Sequence, residues 1–102
     1  WLNTLNKTAQ DHISSGCVIA CSALKEGYRT QLIHSIESNV LWVYLKGTYE
    51  QIFERMQDRQ GHFMGVEMLK SQFEALEEPR NAINVDIANS PEFIIQEIKS
   101  HI

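Results

Sequence analysis

The sequence has few cysteines and prolines, no long apolar segment and no excess of positive charge. It contains two cysteines and two prolines, and its 13 acidic residues outnumber 9 basic ones, giving a net charge of -4. This balance argues against binding nucleic acid or an anionic membrane through bulk charge, although a local basic site is still allowed. No apolar run approaches the ~18 residues of a membrane span, and the first residues lack the form of a signal peptide. We therefore expect one small domain of a cytoplasmic protein that binds neither nucleic acid nor a membrane.

The two cysteines, Cys17 and Cys21, flank the apolar residues 18–20. In a strand their Cα atoms would lie roughly 13 Å apart, which is too far for a disulfide. We predict that both are reduced and buried in the core. Neither the cysteines nor the four histidines have the spacing of a zinc site, so no metal held by a side-chain cluster is predicted.

Short apolar runs alternate with segments of helical periodicity. The runs predict three strands, at residues 17–21, 40–45 and 82–87, and the second is predicted to be buried on both faces. Apolar residues at helical spacing predict five helices, at about 1–13, 25–37, 49–59, 66–76 and 91–102. The buried stripe of the first helix is predicted to run from Trp1 through Leu5 and Ala9 to Ile13, and that of the last helix to end at Ile102. Helices alternating with buried strands indicate a parallel α/β sheet with right-handed crossovers.

Two of these helices begin with recognisable signals. Thr48 followed by Gln51 has the form of a capping box. Ser90 followed by Pro91 places a capping hydroxyl before a proline at the first helical position.

Arg55 and Arg59 project from one side of the third helix, just before a Gly-rich break at residues 61–65. Like charges at this spacing repel by roughly 0.2–0.5 kcal/mol, so an anionic ligand between the arginines is one interpretation. The other is a solvated face of mixed charge, because acidic residues form the neighbouring row. The charge pattern alone favours the solvated face.

Three motifs together resemble the gluconate kinase family of P-loop kinases. They are Gly-His-Phe-Met at 61–64, Ser-Gln-Phe-Glu-Ala-Leu-Glu-Glu-Pro at 71–79, and Ala-Cys-Ser-Ala-Leu-Lys at 20–25 with Tyr28 and Arg29. The motifs occur in the same order as in the family, and the resemblance extends from about the first residue to the last helix.

This resemblance implies a parallel-sheet P-loop kinase-like three-layer α/β/α fold, with three of about five strands present. Residues 1–102 would form a partial kinase domain with a lid at about 49–79. The family's phosphate-binding loop, G-x-x-x-x-G-K-[ST], is absent from these residues. We therefore expect the chain to be part of a longer protein, to be inactive alone, and to lack the catalytic base and the loop lysine.

The family's activity implies ATP-dependent phosphorylation of gluconate to 6-phosphogluconate, with Mg²⁺ accompanying ATP. By the resemblance, Arg55 and Arg59 are the catalytic residues that close over the ATP phosphates. The loop containing Asn89, Ser90 and Pro91 would lie along adenine. Kinases of this kind are commonly dimers, so a homodimer is also an option.

A group of residues suits a carboxylate that carries hydroxyls, and the resemblance implies that they bind gluconate: Lys25, Tyr28, Arg29, His62 and Gln72. Other interpretations of these residues stay open. Tyr28 fits equally a core-facing position, with Lys25 and Arg29 as surface charges. His62 also fits a turn hydrogen bond, and Gln72 fits a cap on the lid backbone. A shikimate-like or nucleoside-phosphate kinase, and a non-catalytic binding protein, are the rival functions.

Overall fold

The computed structural model describes residues 1–58 and 66–102, without the side chains of Asp58 and Val66. The described chain divides into two compact units. The first contains Trp1–Leu41 with Leu76–Glu78, and the second contains Trp42–Ala75 with Pro79–Ile102. The predicted lid, about 49–79, includes residues outside the described part, and its boundaries stay a prediction.

The first unit is helical. It contains α1 (Leu2–Asp11), α2 (Glu26–Leu32) and a short 3-10 turn at Glu37–Asn39, and α1 packs on α2. The predicted period of α1 is correct, because Leu5 and Ala9 are half-buried. The ends of the predicted stripe are wrong, since Trp1 is 74% exposed and Ile13 is also exposed.

Asn6 is the buried residue of α1. Its side-chain amide donates to the backbone oxygens of Leu32 at 2.7 Å and His34 at 2.9 Å. These two acceptors lie at the end of α2, where backbone oxygens have no partner within the helix. The bonds therefore explain why a polar residue occupies the core-facing stripe of α1.

The strand predicted at residues 17–21 is wrong. The segment pairs with no strand among the described residues, and Val18 is 97% exposed. An apolar run forms a strand only where a neighbouring strand accepts its backbone hydrogen bonds. The prediction that both cysteines are buried fails with it, because Cys17 is exposed and Cys21 is half-buried.

The second unit contains the sheet. Strands β1 (Val43–Lys46) and β2 (Ile83–Asp86) pair in parallel, as predicted, with Val43 opposite Ile83 and Lys46 opposite Asp86. The prediction that β1 is buried on both faces is wrong, since Leu45 is 56% exposed. The described sheet has two strands, so each strand keeps one edge without a strand beside it.

Three helices accompany the sheet: α3 (Tyr49–Asp58), α4 (Val66–Ala75) and α5 (Pro91–Lys99). Both predicted helix starts are confirmed. In the capping box, the Thr48 N–H donates to Gln51 Oε1 at 2.8 Å, and the Gln51 N–H donates to Thr48 Oγ1 at 3.1 Å. Ser90 caps α5 by accepting from the Phe93 N–H at 3.2 Å.

In the described part of this unit, the buried apolar residues are Val85 in β2, Ile87 directly after it and Leu69 in α4. The ring of Tyr49 packs on Phe53, with centroids 6.1 Å apart, and edge-on against Phe73 at 5.6 Å. These aromatic contacts join α3 to α4. The predicted burial of Ile102 is wrong, because α5 ends at Lys99 and Ile102 is exposed.

None of the helices in the described part of the chain is both long and apolar enough to span a membrane.

Candidate functional site

The loop before α2 presents the residues predicted to bind substrate. Lys25 is the N-cap of α2, and its side chain is exposed. Ala23, two residues earlier, is buried with φ at 32°. This left-handed conformation is uncommon for a residue other than glycine, so contacts from outside the loop must stabilise it.

Arg29 supplies such a contact. Its guanidinium donates from Nη1 to the Ala23 oxygen at 2.7 Å, and from Nη2 to the Glu77 backbone oxygen at 2.7 Å and to Glu26 Oε2 at 3.0 Å. Arg29 is 5% exposed, whereas Tyr28 is 45% exposed. The alternative with Tyr28 in the core and Arg29 at the surface is therefore wrong. The arginine points inward because backbone oxygens and a carboxylate satisfy its charge.

Glu77 provides further bonds to the same loop. Its N–H donates to the Leu24 oxygen at 2.7 Å, and its side-chain Oε1 accepts from the Glu26 N–H at 2.8 Å. In the sequence, Glu77 follows the end of the helix predicted at about 66–76 and belongs to the motif at 71–79. The contacts between Glu77 and the loop could not be predicted, because they join segments about 50 positions apart.

A groove of about 160 Å³ lies against this loop. Aromatic, aliphatic and hydroxyl-bearing side chains line it, from Trp1, Leu2, Ser22, Ala23, Leu24 and Tyr28. The groove is therefore lined both by the exposed Tyr28 and by Ala23 and Leu24, whose backbone oxygens accept hydrogen bonds from Arg29 and Glu77.

The second unit presents another group of predicted residues, after β2. Asp86 Oδ1 accepts from the Ala88 N–H at 2.8 Å, and the Asn89 N–H donates to the Asp86 backbone oxygen at 3.1 Å. These bonds fix a tight turn. Asn89, Ser90 and Pro91 are exposed on it.

Arg55 reaches this turn from α3. Its Nη2 donates to the backbone oxygen of Ile87, the residue directly after β2. The interpretation as a solvated face of mixed charge therefore describes Arg55 only in part, because one N–H of its guanidinium bonds to the backbone. The structure brings Arg55 close to the loop predicted to lie along adenine.

A depression of about 220 Å³ opens beside the same strand ends, lined by Lys46, Gly47, Thr48, Gln51, Asn84, Val85 and Asp86. Ligands of open parallel sheets bind outside the carboxyl ends of the strands. Gly47 is needed at this edge because a Cβ there would lie 2.7 Å from Ile87 Cγ1.

The roles predicted for three further site residues stay predictions. Arg59 and His62 lie outside the described residues, so the pairing of Arg55 with Arg59 stays a prediction. Gln72 is half-buried on α4. Its two interpretations, substrate contact and backbone cap, stay open.

The Cys21 thiol and the Glu37 carboxyl, both in the first unit, have shifted pKa values. Burial raises the pKa of the Cys21 thiol. Hydrogen bonds from backbone N–H groups of Glu37 and Ser35 lower the pKa of the Glu37 carboxyl. Among the described residues, no group of three or more His, Cys, Asp or Glu side chains is placed to hold a metal ion.

The chain is similar in sequence to known gluconokinases. The chain is 43% identical to the thermosensitive gluconokinase of Escherichia coli (strain K12), over 90% of this chain and 54% of that protein. It is 36% identical to a probable gluconokinase of Dictyostelium discoideum, over 100% of this chain and 52% of that protein. No family model matches.

The fold has a matching solved structure. The crystal structure of a gluconokinase from Sinorhizobium meliloti 1021 superimposes with a TM-score of 0.75 and 36% sequence identity, covering 91% of this chain and 55% of that one. The predicted P-loop kinase-like α/β fold is thereby confirmed. The chain spans about half the length of the curated relatives it matches.

Proposed function

Because the chain belongs to the gluconokinase family by sequence and by fold, we propose that this protein transfers the γ-phosphoryl group of ATP to the 6-hydroxyl of D-gluconate. The products are ADP and 6-phosphogluconate. The observation that carries this proposal is the identity with gluconokinases over nearly the whole chain. In the reaction, the hydroxyl oxygen bonds to phosphorus, the bond to ADP breaks, and the hydroxyl proton passes to a base outside the residues assigned here.

Gluconate is proposed to bind at the loop before α2. Lys25 offers a positive charge for the carboxylate, and the hydroxyl of Tyr28 can hydrogen-bond the sugar hydroxyls. Both side chains are exposed. His62 and Gln72 belong to the proposed site by the resemblance. By the resemblance Arg29 is also expected at this site, although its guanidinium bonds to the protein's own backbone.

ATP is proposed to bind along the turn after β2, with Asn89, Ser90 and Pro91 beside adenine. Arg55 and Arg59 would then act on the phosphates, where guanidinium groups stabilise the charge of the transferring group. The bond from Arg55 to the Ile87 oxygen supports this assignment, since Ile87 begins the turn. Phosphoryl transfer depends mainly on positioning and positive charge, which is what these residues offer.

Mg²⁺ is proposed to enter with ATP. This ion keeps several water ligands and binds mainly through substrate phosphates, so it does not require a cluster of protein carboxylates. When bound, the ion would offset negative charge on the phosphates.

We also propose a cytoplasmic location and no nucleic-acid or membrane partner, with a homodimer as the assembly. The free thiols of Cys17 and Cys21 suit a reducing compartment. The net charge of -4 offers no bulk attraction to polyanions.

The test measures ADP release by the full-length product of the gene that encodes this chain. The acceptors are gluconate, glucuronate, shikimate and a nucleoside monophosphate. We expect the highest kcat/KM with gluconate. A preference for shikimate or the nucleotide would replace the proposal with a related small-molecule kinase, and no release with any acceptor would favour a non-catalytic binding protein.

A further inference from the structure

Arg29 differs from the other residues predicted to bind gluconate because its charge is buried and spent on the protein itself. We propose that Arg29 is a positioning residue, which holds the wall of the groove beside α2 in shape and does not contact the sugar acid. This inference rests on the proposed function for the identity of the ligand. It changes the role of Arg29 within that function.

Arg29 uses its donors on a set of acceptors within the protein. The guanidinium of Arg29 has five N–H donors in a fixed plane. In the structure it bonds to the oxygens of Ala23 and Glu77 and to the carboxylate of Glu26. A side chain that is 5% exposed and already spans three acceptors has little freedom to turn toward a ligand.

One of these bonds holds an unusual backbone conformation at Ala23. Ala23 has the left-handed φ of 32°, which an alanine adopts only where its surroundings impose it. Its oxygen accepts the bond from Arg29 Nη1 at 2.7 Å. Ala23 also lines the groove. The bond therefore fixes a strained residue in the wall of the proposed substrate site.

Glu77 holds the next residues of the same wall. Its N–H bonds to the oxygen of Leu24, which lines the groove, and its carboxylate bonds to the N–H of Glu26. Arg29 in turn bonds to the backbone oxygen of Glu77. Arg29 and Glu77 thus form one clamp that fixes the backbone from Ala23 to Glu26, on both sides of Lys25.

The consequence for function follows from the position of Lys25 between the clamped residues. If Lys25 receives the carboxylate of gluconate, its placement depends on the backbone on either side. A misplacement of 1 Å in a positioning element costs on the order of 100-fold in rate. The clamp should therefore act on gluconate and leave the ATP site in the other unit unaffected.

The kinetic test compares Arg29→Ala, Arg29→Lys and the wild-type full-length enzyme, with gluconate and ATP varied separately. For Arg29→Ala we expect kcat/KM for gluconate to fall about 10- to 100-fold, mainly through a rise in KM for gluconate, with KM for ATP unchanged. Arg29→Lys should recover part of this loss, because an ammonium can satisfy one carbonyl but cannot span all three acceptors. Glu77→Ala keeps the backbone bonds of Glu77 and should give a smaller rise.

Asn6→Ala is the matched control. It removes two hydrogen bonds to backbone oxygens at the other end of α2, also in the first unit. We expect it to lower the melting temperature without changing KM for gluconate. Equal increases of KM in Asn6→Ala and Arg29→Ala, or an equal rise of both KM values in Arg29→Ala, would assign Arg29 a general structural role and overturn the proposal.

Hydrogen exchange separates a failure of this inference from a failure of the proposed function. In the wild type, the amides of Glu26 and Glu77 should be protected, because each donates a hydrogen bond, and Arg29→Ala should speed their exchange. Unchanged exchange would overturn the clamp even in an active gluconokinase. Faster exchange in an enzyme inactive with gluconate would retain the clamp and overturn its assignment to that substrate.

Discussion

The loop before α2 and the turn after β2 carry residues predicted to bind gluconate and ATP, respectively. Different kinds of contact hold these two segments in place. The loop before α2 depends on Arg29 and Glu77, and Glu77 lies about 50 positions further along the chain. The turn after β2 is held mainly by near neighbours, through the Asp86 and Ser90 side chains. The first should therefore be disrupted by one distant substitution, whereas the second should lose its bonds one at a time.

The largest effect on folding is expected for Arg29→Ala. Removing a buried guanidinium leaves two backbone oxygens without their donor, and hydrogen bonds to charged groups contribute about 1.5–3 kcal/mol each. We expect the free energy of unfolding to fall by about 3 kcal/mol, measured by urea denaturation. Thr30→Ala, which removes an exposed bond to the Glu26 oxygen, is the control. An equal loss in the two variants would contradict the comparison.

The next effect is expected for Gly47→Ala, at the edge of the sheet. The added Cβ would overlap the side chain of Ile87, and overpacking of this kind costs about 1–3 kcal/mol. Gly27→Ala is the matched control, because nothing lies within 4 Å of its Cβ position in α2, and alanine favours a helix over glycine. Denaturation should show opposite signs for the two variants. A loss of stability in both would remove steric contact as the explanation.

Arg55→Ala should affect catalysis more than folding. Its bond to the Ile87 oxygen is partly buried, and loss of a charge-assisted contact to ATP should raise KM for ATP or lower kcat by about tenfold. KM for gluconate should stay unchanged, which is the reverse of the result expected for Arg29→Ala. Steady-state kinetics with each substrate varied would contradict the comparison if both arginines changed the same constant.

Ser90→Ala should cost about 1 kcal/mol, the usual effect of losing a helix N-cap. The bond from the Phe93 N–H is the one it removes. Ser90→Asp keeps an acceptor at this position and should retain most of the stability, as thermal denaturation can show. A large loss in both variants would indicate that the turn depends on distant contacts, as the loop before α2 does.

The smallest effect concerns pH. Backbone hydrogen bonds to the Glu37 carboxylate lower its pKa below the ordinary 4.5. A lowered pKa in the folded state means that the carboxylate stabilises the protein above pH 4.5 and loses that contribution as pH falls through the lower value. Glu37→Gln should therefore reduce the slope of stability against pH in the acid range. An unchanged slope would show that these bonds do not persist in solution.

The same contrast explains which features could be predicted from the sequence. The capping box at Thr48 and the N-cap at Ser90 depend on residues three positions apart, and both are confirmed. The strand predicted at 17–21 depends on a partner that the pattern does not specify, and it is wrong. Local signals are complete within a few residues, whereas strand pairing is not.

The orientation of α2 shows the same limit. One interpretation of the helical spacing has Tyr28 facing the core and Arg29 the solvent, and the structure has the reverse. The reversal requires acceptors for the guanidinium, and one of them, the Glu77 oxygen, belongs to a distant segment. By contrast, the motifs at 20–25, 61–64 and 71–79 were sufficient to predict the family, because resemblance does not require knowing which way each side chain points.

The central claim is that this protein phosphorylates the 6-hydroxyl of gluconate, and the most direct test is the identity of the product. The full-length enzyme would be incubated with ATP, Mg²⁺ and ¹³C-labelled gluconate, and the product examined by ¹³C and ³¹P NMR. The account predicts a phosphate ester whose phosphorus couples to carbon 6. An ester at another carbon, or unchanged gluconate under conditions where a different acceptor is phosphorylated, would contradict it.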